Sequence, residues 1–353
     1  MKKVNLSKIG LIVLVSLISY FVLLVLIVQF EKENPESGIN SLYDAVWWSM
    51  VTLTSVGYGD LVPTTSAGRL VGFVFLFGSL TIFAVLIGQI TSIMNNLREN
   101  KRLGQYGTHL KNHALIVGWN SFGKTVTDQL TGVGKQVSVI TKIKTDIDFI
   151  RENYSTTKVF ALYTDYHTIE HLNKANIKDS SIVFVKLEDD TEKLVYILNL
   201  KKNFDSLKYI VSLDNADLKQ TFVSAGVTYA LSKNEIASKL LASYIFEPDV
   251  ATFNEEIIAV AETDELYDIK QYQVLKSNPY IGMLYNKVFY EIKRACNAVL
   301  VGIVKCEENK RILLKNPEED VTIEEKDYLL LLVNGLGEKN LTKLFHTKEG
   351  LID

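Results

Sequence analysis

Residues Thr54 to Asp60 read TSVGYGD, in a chain that is strongly apolar on either side. The stretch holds no lysine or arginine. Its two glycines point instead to chemistry done by the main chain. Gly57 and Gly59 can take φ values closed to other residues. Alternating left- and right-handed backbone would turn successive carbonyls to one side. A ring of such carbonyls from several chains can replace the water shell of a bare cation. One chain supplies one loop, so a closed ring needs several copies.

Two further groups have chemical potential. Between His113 and Leu130 lies HALIVGWNSFGKTVTDQL, a strand, a tight turn and a helix. The turn Gly118-Trp119-Asn120-Ser121-Phe122-Gly123 reads GxNxxG, and Asn120 is expected in the left-handed conformation that a middle glycine would take. Its amides and the helix N-terminus suit an anion such as a pyrophosphate. Lys142 closes the next strand and suits a phosphate better than a ribose hydroxyl. The other group is acidic: Glu188, Asp189, Asp190 and Glu192, with Asp214 and Asp217 further on. Clustered oxygens suit a hard cation such as Ca2+, and acids at helix N-termini also answer the helix dipole. The five histidines form no catalytic constellation, so no enzymatic activity is expected.

The elements that must position these groups differ sharply along the chain. Ile9 to Phe30 and Leu70 to Met94 are uncharged and long enough to cross a bilayer. Ser41 to Thr54 reads as a helix too short to span, with Ser41 as N-cap and Asp44 in its first turn. A re-entrant helix with an extended return is the expected geometry, because irregular backbone at membrane depth must be buried in protein or face a water-filled path. Lys2, Lys3 and Lys8 precede the first span, and Arg98, Lys101 and Arg102 follow the second. Both termini are therefore expected in the cytoplasm, with the chain multi-pass in the cell membrane. The connecting segment carries Glu31, Glu33, Glu36, Asp44 and Asp60 against Lys32 and Arg69, an acidic mouth that would concentrate cations. Gly72, Gly78 and Gly88 interrupt the second span, and any of them, Gly78 with the adjoining Ser79 included, could be its bending point, close helix packing being the other reason for small residues there.

From Arg98 the sequence turns polar, and Gly104 and Gly107 mark a linker. Six strands alternating with helices follow, the pattern of a doubly wound parallel sheet. The expected architecture is multi-domain: an all-α transmembrane pore over 1–98, a linker over 99–112, an α/β Rossmann-like domain over 113–248 and a small α+β subdomain over 249–353. The net charge of −3 gives no reason to expect a nucleic-acid partner. Cys296 and Cys306, two in 353 residues, make no disulfide framework.

The stretch from Ser55 to Asp60, behind Trp47-Trp48 and between two spans, closely resembles the potassium-channel signature. That resemblance implies a tetramer in which carbonyls of Ser55, Val56, Gly57 and Tyr58 bind K+, the Ser55 hydroxyl forms the innermost site, Gly59 and Asp60 close the outer end, and Trp47 and Trp48 pack around the filter tyrosine. Val51 stands where some members place a glutamate behind the filter. A Rossmann-type unit after such a pore resembles the RCK domain, the regulator of potassium conductance built of TrkA-N and TrkA-C parts. The resemblance implies gating by a ligand and pairing of RCK domains through a crossover helix, here Lys233 to Phe246. An adenine nucleotide or NAD(H) is implied at Gly118, Asn120, Gly123 and Lys142, with Asp165 in the position of a family aspartate. Ca2+ at Glu188, Asp189, Asp190 and Asp214 is the other ligand; calcium-gated relatives place an acid where this chain has Lys186. The rival classes are a membrane-tethered nucleotide-dependent oxidoreductase and a channel with a passive RCK scaffold.

Overall fold

The computed structural model describes residues 6–54, 56–261, 263–307, 310–318, 321–347 and 349–350, the side chains of 6–13, 79, 82 and 310 excepted. Two compact units divide at Glu99 and Asn100.

The first unit is helical. α1 (Leu6–Glu31) and α3 (Ser66–Arg102) are long and apolar enough to cross a membrane. α2 (Leu42–Leu53) is short. It starts at a capping box, in which Ser41 and Asp44 satisfy each other's backbone amides. Leu24, Ile27, Ile39, Ala45, Trp48 and Phe75 form a small core. The Tyr20 hydroxyl meets Ser49 Oγ at 2.6 Å and fixes α1 on α2. Much of α3 stays apolar and uncovered, as at Leu70, Phe73, Phe77 and Leu80. Exposed apolar surface on this scale calls for lipid or further copies.

The second unit opens with β1 (His113–Val117), α4 (Ser121–Gly132), β2 (Val137–Thr141), α5 (Lys144–Asn153) and β3 (Val159–Tyr163). There follow α6 (Ile169–Leu172), β4 (Ser180–Val185), α7 (Asp190–Lys201), β5 (Tyr209–Leu213), α8 (Lys219–Ser224) and β6 (Tyr229–Ser232). The sheet order is β3-β2-β1-β4-β5-β6, and every pairing is parallel. β1, β2 and most of β4 are buried, as expected of a sheet covered on both faces. The order reverses between β1 and β4, the place where open α/β sheets leave a crevice at their strand ends.

α9 (Lys233–Phe246) and α10 (Pro248–Ile258) lead out of this sheet. A four-stranded antiparallel sheet then forms from β7 (Tyr267–Gln273), β8 (Val299–Glu307), β9 (Lys310–Lys315) and β10 (Tyr328–Asn334), in the order β7-β10-β8-β9. α11 (Tyr285–Cys296) and α12 (Gly335–Phe345) pack on it around Tyr272, Tyr285, Val288, Ile292 and Phe345. The sequence pattern from about Asp249 shows one helix; among the described residues the structure has three from Pro248 on, with Pro248 at a first-turn position of α10 where its missing N–H costs nothing.

The expected linker is also different. α3 continues to Arg102, and the segment after it is docked rather than free. Leu103 is buried and its carbonyl accepts from Tyr163 N at 3.0 Å. Gln105 Nε2 donates to Tyr163 O at 2.6 Å, and Thr108 N donates to Lys174 O at 2.8 Å. The last carbonyls of α3 are capped by Arg151, which donates to Arg102 O (2.7 Å) and Lys101 O (2.9 Å). Arg102 pairs with Asp148. Gly104 and Gly107 do break the helix, both at positive φ, and an added Cβ at Gly104 would lie 2.3 Å from Ala161 O.

Candidate functional site

The glycine-rich loop returns from α2 along its own carbonyl end. Val51 O accepts from Val56 N at 3.1 Å and Gly57 N at 3.2 Å, and Thr54 Oγ1 donates back to Met50 O at 2.8 Å. The helix end thus pins the start of the loop. Gly57 sits at φ +58 and Gly59 at φ +76, while Val56 and Tyr58 stay out of the left-handed region. The sign of φ thus alternates over residues 56–59. Tyr58 stacks on Trp47 with centroids 6.1 Å apart and planes 8° from parallel. Trp47 Nε1 donates to Asp60 Oδ2 at 2.9 Å. Val56 and Tyr58 remain 53% and 68% exposed, so the loop has an open side.

Beyond the loop, Glu31 is wholly buried at the end of α1. Its carboxylate accepts from Thr64 N (3.0 Å), Thr64 Oγ1 (3.1 Å), Thr65 N (3.0 Å) and Thr65 Oγ1 (2.6 Å). Four donors on one carboxylate tie the outgoing strand of the loop to the outer helix.

In the second unit a cleft of about 210 Å³ opens at the ends of β1, β2 and β4. Gly118, Asn120, Lys142, Tyr166, Lys186 and Glu188 are among its lining residues. Gly118 has φ +89, and an added Cβ would fall 2.2 Å from Lys186 O. Only glycine lets β1 and β4 approach this closely. Lys142 Nζ lies 5.4 Å from the Tyr166 ring centre. Lys186 is 7% exposed. Burial, and then the ammoniums of Lys233 and Lys193, push it below the usual lysine range.

Comparison with known proteins follows the same division. Residues 9–96 match the family described as "Ion channel", and residues 114–233 match the TrkA-N domain. The calcium-gated potassium channel TvoK of Thermoplasma volcanium is 25% identical over 333 residues, which cover 90% of this chain and 91% of TvoK. Potassium channel protein 1 of Methanocaldococcus jannaschii is 22% identical over 88% of this chain and 90% of its own. An ion-channel part followed by a TrkA-N domain makes the chain homologous to potassium channels of this build. Among solved structures, the human SLO3 gating ring superposes on 66% of the channel chain with TM-score 0.50 and 13% identity, a likeness of fold. The channel spans less than half of that structure's chain, 46%.

Within this channel the sequence-predicted residues have divided fates. Gly57, Tyr58, Gly59, Trp47 and Asp60 come together, whereas Ser55 lies outside the described residues. Trp48 does not touch Tyr58 in one chain; it is buried against Phe75, with centroids 5.2 Å apart. Glu31, counted in the acidic mouth from sequence, instead faces inward as a fully bonded anchor. α3 runs unbroken through Gly78, where an added Cβ would meet nothing within 4 Å, and the side chain of Ser79 is outside the described residues.

Asn120 corrects another expectation. Its backbone is extended (φ −165, ψ −171), and its side chain accepts from Gly123 N at 3.1 Å as the N-cap of α4. Asparagine is there for its oxygen, not for the left-handed conformation. Asp165 accepts from His167 N in its own turn and does not line the cleft. The four acids do not gather either. Asp189 caps α7, accepting from Glu192 N at 2.8 Å. Asp190 holds Lys193 Nζ at 2.6 Å and accepts from Asp214 N at 3.1 Å. Asp214 holds Lys233 Nζ at 2.6 Å, which keeps its carboxyl below the usual range. Among the described residues, no group of three or more His, Cys, Asp or Glu is placed to hold a metal ion. Lys186, in the sequence only an argument against calcium, is buried and is among the residues that line the cleft.

Proposed function

We propose that the protein conducts K+ as a homotetramer in the cell membrane, with both termini cytoplasmic, and that ligand binding to its RCK domains shifts the inner gate between open and closed. The observation that carries the reading is the alternating backbone of residues 56–59, locked by Val51 O and stacked on Trp47, with its other side open in one chain. Four such loops around one axis would strip and replace the hydration of K+. Ser55 completes the inner site in this reading, and Gly78 gives α3 its bending point.

The RCK part transmits the signal. α3 runs without a break into the Arg151 cap and the docked segment after it. In this reading a ligand that binds one arrangement of the RCK ring better moves the population between open and closed gates. α9 supports pairing of RCK domains, since Leu241, Ile245 and Phe246 are 65%, 80% and 68% exposed. The cleft at Gly118, Asn120, Lys142 and Lys186 is the ligand site we favour, and an adenine nucleotide is its candidate occupant. Ca2+, which the name of TvoK attaches to its gating, has three of its four candidate acids here, Asp189, Asp190 and Asp214, already engaged by lysines and amides. K+ flux into proteoliposomes, measured with and without ADP, NADH and Ca2+, tests both halves. The reading requires K+ flux that at least one of the nucleotides changes; flux indifferent to all three leaves the RCK ring a scaffold, and nicotinamide turnover without flux removes the channel reading.

A further inference from the structure

The acids after β4 and β5 need a positive charge, and the chain supplies it from its own helices. Asp190, in the first turn of α7, has a side chain only 10% exposed. Its Oδ1 meets Lys193 Nζ at 2.6 Å, one turn along the same helix, and Lys193 is wholly buried. The other carboxylate oxygen accepts from Asp214 N at 3.1 Å and Asn215 N at 3.0 Å, which fastens α7 to the loop after β5. Asp214 extends the network. Its Oδ2 lies 3.9 Å from Lys193 Nζ and its Oδ1 2.6 Å from Lys233 Nζ, while its carbonyl accepts from Asn234 Nδ2 at 3.0 Å. Lys233 and Asn234 open α9. Two carboxylates and two ammoniums thus join the start of α7, the loop after β5 and the start of α9.

Without the ammoniums this junction would repel itself. The Asp190 carboxylate is bonded to the backbone of Asp214, so two like charges are held close, and Asp190 has little water to screen it. Convergent carboxylates ordinarily take a hard cation. Here Lys193 Nζ lies within 4 Å of both, in the place that such a cation would take. It is tethered, so an incoming ion would have to displace a charge that cannot leave. Lys186 is near enough for the ammoniums of Lys233 and Lys193 to depress its pKa, and a third ammonium opposes an incoming cation further.

We propose that Lys193 and Lys233 are built-in counter-cations that hold α9 to the junction of α7 and β5, and that they fix the ion specificity of the RCK domain by leaving no place there for Ca2+. This role is independent of the molecule that occupies the cleft and of whether the pore conducts. Removing both ammoniums should expose a divalent-cation site that the wild-type chain does not offer.

Hydrogen exchange of the intact channel in detergent, read by peptide mass spectrometry over 187–193, 212–218 and 229–238, tests this in EDTA and in millimolar Ca2+. The chains compared are wild type, Lys193→Met, Lys233→Met, the two together, and Lys193→Met with Asp190→Asn. Wild type should exchange alike in EDTA and Ca2+ at these peptides. The double lysine variant should exchange about tenfold faster or more in EDTA, since unpaired carboxylates are left behind, and Ca2+ should slow it again. Adding Asp190→Asn to Lys193→Met should restore part of the protection without Ca2+, because the stranded charge is gone. Ca2+ that protects wild type, a double variant that Ca2+ does not protect, or faster exchange on adding Asp190→Asn each overturns the inference. Should the double variant not assemble, Lys233→Met, altered at a side chain 29% exposed, decides by the same Ca2+ comparison.

Discussion

The two units of this channel reach function by opposite routes. In the RCK unit one chain is enough: two hydrophobic clusters cover the parallel sheet, and the cleft is walled by residues of that same chain. In the pore unit the loop is covered on one side alone. Tyr58 has a stacking partner and a pinned backbone on one side and open space on the other, and an added Cβ on Gly57 or Gly59 would meet nothing within 4 Å. On the proposed function, the ligand cleft belongs to the fold of one chain and the ion path to an assembly of several.

The largest effect expected from that contrast is at Gly57. Gly57→Ala places a Cβ on a left-handed residue that one chain would accommodate in space, so its damage is to carbonyl direction. K+ current should be abolished while thermal unfolding of the RCK part is unchanged; surviving selective current would mean the alternation at 56–59 is not the ion path. Gly118→Ala is the counterpart in the other unit. Strain at φ +89 and a 2.2 Å clash with Lys186 O should cost about 2–4 kcal/mol of RCK stability, read by denaturant unfolding, and a neutral result would deny the β1–β4 approach. Glu31→Gln should cost about 1–3 kcal/mol, because an amide cannot serve four donors as a carboxylate does. Its signature would be a less heat-stable oligomer, with the RCK transition unmoved.

The smallest effect is a pH dependence confined to the RCK unit. His113 is buried at the start of β1, with Nε2 against Ala175 O at 3.1 Å. Burial holds its pKa below the ordinary 6.5. Below that value the unfolded chain takes up the proton first, so stability is full above about pH 6.5 and declines as pH falls through the histidine range. His113→Gln should flatten this slope in pH-dependent thermal unfolding, and an unchanged slope would remove His113 as its source.

Legibility from sequence followed the range of the interactions involved. The spans, the Ser41 cap and the loop glycines announce themselves through local pattern, and the βα alternation carries the parallel sheet with it. Asn120 was misjudged because a residue replacing a glycine invites a backbone explanation, while its real partner, Gly123 N, is found only in the folded turn. Glu31 sits at the end of an apolar span, where a carboxylate ordinarily faces water; Thr64 and Thr65, over thirty residues later, reverse that. The acids after β4 look like a cation site until Lys193 and Lys233 are seen to claim them. Lys186 had no local signal, since its burial comes only with the folded strand ends.

The most direct test of the account is the reversal potential of the reconstituted channel in a planar bilayer with K+ on one side and Na+ on the other. A backbone filter over residues 55–59 predicts a potential close to that of a membrane permeable to K+ alone. A reversal near zero, with Na+ carrying as much current as K+, would contradict it.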